Sequence, residues 1–421
     1  MPSQKFTKIK GAVIVLSDTR PATAIRKLAA GQAWQVSDDA GLNPADLVDL
    51  KAVAGELQTL RAGVAGQFID RDEMIQAILT AMAAGEHVFI YSPPGAAKTK
   101  VVETLAAGIN GDFAERQITA ESTGDEIFGP VDAIAFSQGT FTRRWAGIAA
   151  AEIFYINEVW EASSTVTNIL KTALESRVVH DGDVIRKIPL LTAIADSNHV
   201  PTDKSQQADW DRFLIRLSVD YLKDPDFFEA MLTVEAGGKL VNSLATADDL
   251  RLMAAAAELI AMNPPQDMVD TIKDLWREIG QNGRSVSDRR WRKTLKAACA
   301  FALLNGESPA ARHMAVARWT LWNDLDERDD IANLVMSKCD PLAGAVLDAE
   351  ALLADLKKAA INLPADDLIA RQDVMAKGRK LGKNAEGLLG QPGSGAYLNR
   401  LQSVKGQADG IVNKVLDSLL G

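Results

Sequence analysis

The stretch VFIYSPPGAAKTK, Val88 to Lys100, decides the fold. A β-rich run, Val88 to Tyr91, breaks into a turn and passes directly into a helical pattern with Val101, Val102, Leu105 and Ile109 on one face. A strand that turns straight into a helix makes an anion site, because the first helical N–H groups are unpaired and the helix dipole favours negative charge there. The stretch nearly spells the phosphate loop G-x-x-x-x-G-K-S/T, with Ser92 and Ala97 at the two glycine positions. Both positions serve backbone conformation, and both replacements are small, so no phosphate ligand is removed. Gly95 is where the backbone approaches a phosphate, Lys98 reaches the β and γ phosphates, and the Thr99 hydroxyl suits Mg²⁺. Ser92, Pro93, Pro94, Gly95, Ala96, Ala97, Lys98 and Thr99 are therefore a candidate ATP cradle. A Pro-rich turn that caps a helix without chemistry would carry the same letters.

Working outward, helical spacing over Leu47–Arg61 and FIDRDEMIQAILTAMAAGE leads into this strand, with a helix end at Gly85. EIFYI at Glu152 and PLLTAIA at Pro189 read as further buried strands, separated by a helical Ser163–Ser176. Strands alternating with helices indicate an α/β fold with a parallel sheet and crossover helices. After about Leu222 the strand signals stop. Thr246 and Asp249 open one helix in a capping-box relation, Pro264 and Pro265 precede another, and Ser287 caps a third. The expected organisation is an N-terminal segment over 1–45 with one candidate strand, an α/β domain over 46–222, an all-helical lid over 223–340, and a helical extension over 341–421.

Composition narrows the function classes. The 421 residues are 47% hydrophobic, ample for a packed core, and the net charge of −10 argues against a general nucleic-acid binder. Cys299 and Cys339 lie in helical stretches without a paired motif, which suits a reducing compartment. GAVIVL at Gly11 is too short to span a membrane, and a cytoplasmic protein without a membrane span is expected. His87, His180, His199 and His313 have no ligand spacing and read as surface or loop residues.

Hydrolysis at a γ-phosphate calls for an acidic pair at the end of a neighbouring strand, one member for the Mg²⁺ shell and one to activate water. EIFYINE offers Asn157 and Glu158. Glu158 can serve as base, whereas Asn157 is neutral where a carboxylate is expected. A strand end with chance polar residues is the bland alternative.

FIDRDE, PPGAAKT, STGDEIFGP at Ser122, EIFYINEVWEAS, ADSN at Ala195, ADWDRFLIRL at Ala208 and VSDRRW at Val286 occur in the order and spacing of one family. Over roughly 50–330 the chain resembles a MoxR-type AAA+ ATPase, and within that group a RavA-like one. The resemblance implies an AAA+ P-loop core followed by a helical lid, with ATP and Mg²⁺ as cofactors. By it, Asn198 orients the attacking water, and Arg212 is the finger that enters a neighbouring subunit, with Arg216 a second candidate. Arg289 is the sensor arginine that reports the γ-phosphate to the lid. It further implies a homo-oligomeric, hexameric ring, a von Willebrand factor A-domain partner, and insertions at Ala135–Ala149 and Arg177–Lys187 that touch partners or clients. Without the resemblance, each of these arginines would read as a solvated surface charge. Arg143 and Arg144 beside Trp145 could instead bind an acidic peptide or a nucleic-acid backbone. The expected function is ATP-driven remodelling or maturation of partner proteins, slowed and made Mg²⁺-hungry by Asn157. The rivals are a nucleotide-binding scaffold with little hydrolysis and a nucleic-acid motor, the latter opposed by the acidic charge.

Overall fold

The computed structural model describes residues 5–9, 12–17, 20–26, 35–37, 47–48, 50–181, 184–201, 209–223, 225–233, 238–361, 363, 368–390 and 398–420. They fall into two compact units, Met1–Arg328 and Asp329–Gly421.

At the centre of the first unit lies a five-stranded sheet of β6 (Val88–Tyr91), β7 (Phe113–Gln117), β8 (Ile153–Asn157), β11 (Thr192–Ser197) and β12 (Ile215–Ser218), in the order β12-β6-β11-β8-β7. Every pairing in it is parallel. The three inner strands are almost wholly buried, which is why they read as continuous apolar runs rather than alternating ones. β7 and β12 were not visible in the sequence as strands. FAERQ is an edge strand with a partly exposed, polar pattern, and IRLS is short and interrupted by an arginine.

Helices α1 (Leu50–Ala65), α2 (Asp72–Ala84), α3 (Lys98–Ile109) and α6 (Ser164–Ser176) accompany the sheet. Gly85 closes α2 in the left-handed region at φ 64°, donating to the Ala81 and Met82 carbonyls, as expected for a glycine C-cap. α3 buries Val101, Val102, Leu105 and Ile109. A short helix α4 (Gly124–Phe128) precedes the first expected insertion, α5 (Ala133–Ser137) overlaps its start, and the antiparallel hairpin of β9 (Val178–Asp181) and β10 (Val184–Lys187) occupies the second. Asp181 ends β9, and Gly182, which follows it, lies outside the described residues.

The N-terminal region holds more than the one strand expected. β1 (Lys5–Ile9), β2 (Ala12–Ser17), β3 (Arg20–Arg26), β4 (Gln35–Ser37) and β5 (Leu47–Val48) form an antiparallel sheet in the order β4-β1-β2-β3-β5. β2 is the one long apolar run; β1 and β3 mix charged and apolar residues, β4 and β5 are two or three residues long, and all four gain their strand character from pairing.

After α7 (Pro225–Thr233), the helical part of the first unit contains α8 (Ala247–Met262), α9 (Gln266–Gln281) and α10 (Asp288–Leu304). The Thr246–Asp249 capping box and the Ser287 cap are both formed. This part is fastened to the sheet layer by Lys293 and Lys296 to Glu86, Arg251 to Glu152, and Trp210 Nε1 to the Asn323 carbonyl.

In the second unit, α12 (Pro341–Ile361), α13 (Leu368–Leu389) and α14 (Leu398–Leu420) follow α11 (Arg328–Cys339). They share a core that includes Leu353, Leu381, Leu401 and Val404. α13 and α14 approach closely at Gly378, where a Cβ would meet Val412 Cγ2 at 2.5 Å. Cys299 and Cys339 are free and buried, and burial pushes the Cys299 thiol up to about 12, leaving it inert. Among the described residues no helix is long and apolar enough to cross a membrane.

Candidate functional site

The loop between β6 and α3 has the backbone of an anion cradle. Gly95 (φ 81°) and Ala97 (φ 64°) both take the left-handed conformation. Ala97 therefore does what the pattern's glycine does, at a steric cost that glycine would not incur. Ser92 is buried, receives its backbone position from the Ser197 carbonyl, and presents its own carbonyl to Lys98 Nζ at 3.0 Å. Lys98 Nζ also lies 3.4 Å from the Pro93 carbonyl and 3.1 Å from Asp196 Oδ2. Two residues outside the loop brace it. Arg71, from FIDRDE, donates to the Ala96 carbonyl at 3.2 Å, and the Tyr221 hydroxyl donates to the Pro94 carbonyl at 2.8 Å. Both line a cleft with Asp70, Asp220 and Phe227 beside the loop. The sequence reading passed over both, although Arg71 sits in a quoted motif.

The C-terminal ends of β8 and β11 bring acidic and polar groups to the same sheet edge. Glu158 is held at φ 54°, its N–H donating to Asp196 Oδ1 at 3.1 Å and its Oε2 accepting from Ser197 Oγ at 3.1 Å. Strain of this kind on a non-glycine residue is kept only where surrounding contacts enforce it. Asn198 is exposed, with Oδ1 3.0 Å from His199 Nδ1. Tyr155 Oη donates to Asp196 Oδ2 at 3.0 Å and lies 3.4 Å from Thr99 Oγ1. Burial, then the Asp196 charge, raises the Tyr155 pKa, so the phenol stays protonated and able to donate.

Asn157 does not turn to the loop. Its Nδ2 donates to Glu115 Oε1 on the edge strand β7. The neutral residue expected to serve the Mg²⁺ shell thus has its partner on the far side, while the carboxylate beside Lys98 is Asp196. The sequence signal for Asp196 was present in ADSN, but only strand register shows it next to the loop. A nucleotide with its Mg²⁺ fits this edge: an ammonium, a hydroxyl, a free-facing turn and a carboxylate converge there.

The arginines lie elsewhere. Ile215 of β12 pairs with Val88 at the start of β6, whereas the loop leaves the other end of β6 at Ser92. Arg212, preceding β12, therefore sits at the opposite end of the strands from Lys98, with the four-residue length of β6, at about 3.3 Å per residue, between them. It donates to Asp209 Oδ1 at 3.0 Å and Glu175 Oε2 at 3.1 Å. Arg289 joins it there, donating to Glu175 Oε1 at 2.9 Å and Asp211 Oδ2 at 3.1 Å. Burial opposes ionisation of Asp211, but Arg290 and Arg289 outweigh it and hold its pKa below the ordinary range. Neither Arg212 nor Arg289 faces its own chain's loop.

Arg216 is a different kind of residue. It is fully buried, stacks over Trp210 at 4.3 Å, and donates to the carbonyls of Phe213, Trp210 and Trp322 at 3.1, 3.0 and 2.6 Å. A guanidinium so enclosed cannot be displayed to another subunit, which removes it as a second finger. The difference lies in where each sits: Arg216 is within β12, whose first three residues are all buried, whereas Arg212 lies in the segment before the strand begins.

Residues 55–262 match the family described as the MoxR domain in the MoxR-vWA-beta-propeller ternary systems. This part of the chain is a MoxR-type AAA+ domain. Residues 267–335 match the AAA lid domain family. Two uncharacterised proteins of Methanocaldococcus jannaschii are similar: one is 28% identical over 73% of this chain and 81% of its own length, the other 29% over 71% and 80%. The Mycobacterium tuberculosis protein named chaperone MoxR1 is 26% identical over 49% of this chain and 56% of its own. A crystal structure from Cytophaga hutchinsonii, described as a candidate ATPase, shares the fold with a TM-score of 0.56 at 17% identity, covering 69% of this chain and 96% of that one.

Within the MoxR-type domain both insertion arginines have carboxylate partners, but only Arg143 is enclosed, Arg144 being exposed. Arg143 is nearly buried, paired with Asp125 and Asp181 and stacked on Phe128. It ties the α5 insertion to the β9–β10 hairpin and is not open to an acidic ligand. Arg144 pairs with Asp132, which caps α5. Two histidines also depart from the surface reading. His87 is buried, accepts the Ala193 N–H at Nδ1 and lies 2.9 Å from the Leu174 carbonyl, while burial and then Arg177 push its pKa well down. His313 is buried against Glu307, and burial lowers its pKa. Both positions follow from a neutral ring that satisfies backbone polar groups inside the core.

Proposed function

We propose that the chain is a ring-forming ATPase, RavA-like within the MoxR group, that uses ATP turnover in the cytoplasm to remodel or mature partner proteins. The observation that carries this reading is the division of the chemistry between two sheet edges. Lys98, Thr99, Asp196, Glu158 and Asn198 gather at one, while Arg212 and Arg289 gather at the other, so that a complete site needs two subunits. In this reading Lys98 leaves the Ser92 and Pro93 carbonyls for phosphate oxygens, Glu158 accepts the proton of the attacking water, and Asn198 orients that water. Mg²⁺ supplies charge neutralisation at the β and γ phosphates when it is bound. Thr99 and a nearby carboxylate would hold it. Arg212 reaches the γ-phosphate of a neighbour, and Arg289, sharing Glu175 with it, senses the same neighbour's nucleotide rather than its own.

A hexamer is the proposed closed assembly, since a heterologous interface of this kind closes into a ring. A von Willebrand factor A-domain protein is the proposed partner, with a β-propeller protein as a third component, in keeping with the wording of the matched family. The acidic charge and the internal pairing of Arg143 disfavour nucleic acid as the client. The test is ATPase activity measured against protein concentration, with and without Mg²⁺. Activity per subunit that rises with concentration and needs Mg²⁺ supports the ring enzyme. Nucleotide binding without turnover at any concentration would instead favour the scaffold reading, which the neutral Asn157 keeps in play.

A further inference from the structure

The acidic residue missing at Asn157 has a counterpart one strand nearer the loop. β11 lies between β6 and β8, and Ala195 pairs with Ile156, so Asp196 is level with Asn157 on the neighbouring strand. On its other side Asp196 pairs with Ile90, two residues before Ser92. Strands lie about 4.8 Å apart, so a side chain on β11 starts one strand from the loop and a side chain on β8 starts two. Extending the proposed ATPase reading, we propose that Asp196, not Asn157, is the carboxylate that anchors the Mg²⁺ hydration shell of the bound nucleotide.

Three observations support the transfer of role. Asp196 is almost fully enclosed, yet its Oδ2 is 3.1 Å from Lys98 Nζ, the group that must move to the phosphates. Through Tyr155 Oη, 3.0 Å from Oδ2 and 3.4 Å from Thr99 Oγ1, the carboxylate is linked to the hydroxyl proposed for the metal. Finally, Asn157 carries no charge and turns to Glu115. Two carboxylates level on adjacent strands would repel each other, so an acid on β11 explains a neutral residue on β8. A carboxylate has room for about four hydrogen bonds. Oδ1 is engaged by the Glu158 N–H, and Oδ2 loses its ion pair once Lys98 turns to phosphate. The freed capacity faces the loop.

A role confined to parking Lys98 or holding Glu158 would not make nucleotide affinity depend on the metal. The deciding measurement is therefore the affinity for a fluorescent ATP analogue in excess Mg²⁺ and in EDTA, for the wild type, Asp196→Asn, Asn157→Ala and Lys98→Ala. Removing an outer-shell anchor typically costs about 10- to 100-fold in metal affinity. Asp196→Asn should lose about tenfold or more of the Mg²⁺ enhancement while its affinity in EDTA is unchanged or higher, because Lys98 is released. Asn157→Ala should keep the enhancement. An Asp196→Asn protein with full Mg²⁺ enhancement, or an Asn157→Ala protein without it, overturns the proposal. Should Asp196→Asn fail to fold by circular dichroism, Asn157→Ala decides alone, its loss of enhancement overturning the proposal and its retention sustaining it. Equal binding by the wild type and Lys98→Ala would instead defeat the nucleotide reading itself, an outcome distinct from either of these.

Discussion

Replacing Asn157 by Asp tests the environment of the β8 end in a way that activity alone cannot. The amide of Asn157 donates to Glu115, so the Asp variant loses a donor and sets two carboxylates against each other across β7 and β8. At about 4 Å two like charges repel by about 1 kcal/mol in bulk water and about 4 kcal/mol at an effective dielectric of 20. Both side chains are partly buried, which places the repulsion near the lower end, and the lost charge-assisted hydrogen bond adds about 1.5 kcal/mol. Asn157→Asp should therefore be about 2 to 3 kcal/mol less stable at neutral pH. The folded variant would retain a proton on the pair to higher pH than the unfolded chain does. Folded molecules then bind more protons, and stability falls as pH rises above about 4. Urea midpoints across the acidic to neutral range, followed by tryptophan fluorescence, would show the gap between wild type and variant opening with pH. Adding Glu115→Gln restores a donor and should close most of it. A variant as stable as wild type at neutral pH, or a gap indifferent to Glu115→Gln, would refute this account of Asn157. Turnover should not rise in the single variant, because the new charge faces Glu115 rather than the loop.

Ala97→Gly should raise stability by about 0.5 to 1 kcal/mol in a denaturant titration, since relief of about 1 to 2 kcal/mol of left-handed strain is partly offset by glycine's greater unfolded freedom. Its affinity for nucleotide should be unchanged. Arg212→Ala and Arg289→Ala should each bind the ATP analogue normally yet turn over at least about 10³-fold more slowly for the finger, and mixing Arg212→Ala with Glu158→Gln chains should recover activity in co-assembled rings. Arg216→Leu should lose about 3 to 5 kcal/mol or fail to accumulate as soluble protein, because buried carbonyls of Trp210 and Trp322 are left without a donor. Acidification should destabilise the protein from about pH 6.5 downward, where the unfolded His87 takes up a proton that the folded, lowered-pKa ring refuses; His87→Gln should flatten that slope in pH-dependent denaturation.

Local signals carried much of the fold. The Gly85 end, the start of α3 at Lys98, the Thr246 capping box and the buried strands β6, β8 and β11 are each written within a few neighbouring residues. What escaped depends on partners far along the chain. β7 is a strand because β8 pairs with it, and the N-terminal strands are strands because they pair with one another. At the site, Lys98, Thr99 and Glu158 were legible from pattern and Asn198 through the family resemblance, but Asp196 was not, since its nearness to the loop is a property of register between β11 and β6. The two arginines of DRFLIR look alike in sequence. Only the point where β12 begins separates Arg216, a core tie within the strand, from Arg212, a half-buried residue in the segment before it.

The Arg216 tie has a mechanical consequence. Its guanidinium grips the Trp322 carbonyl from within the dry interior while Trp210 donates to Asn323, and Glu86 is held by two lysines of α10. Bending the subunit between sheet layer and helices would break these contacts and leave the enclosed Arg216 and the Trp322 carbonyl without partners, at a high cost. Each subunit of the proposed ring thus behaves as a stiff tooth rather than a jaw. Compliance is then left to the seams where one tooth meets the next, and the stroke driven by ATP would be a change in how subunits are stacked, passed around the ring from seam to seam.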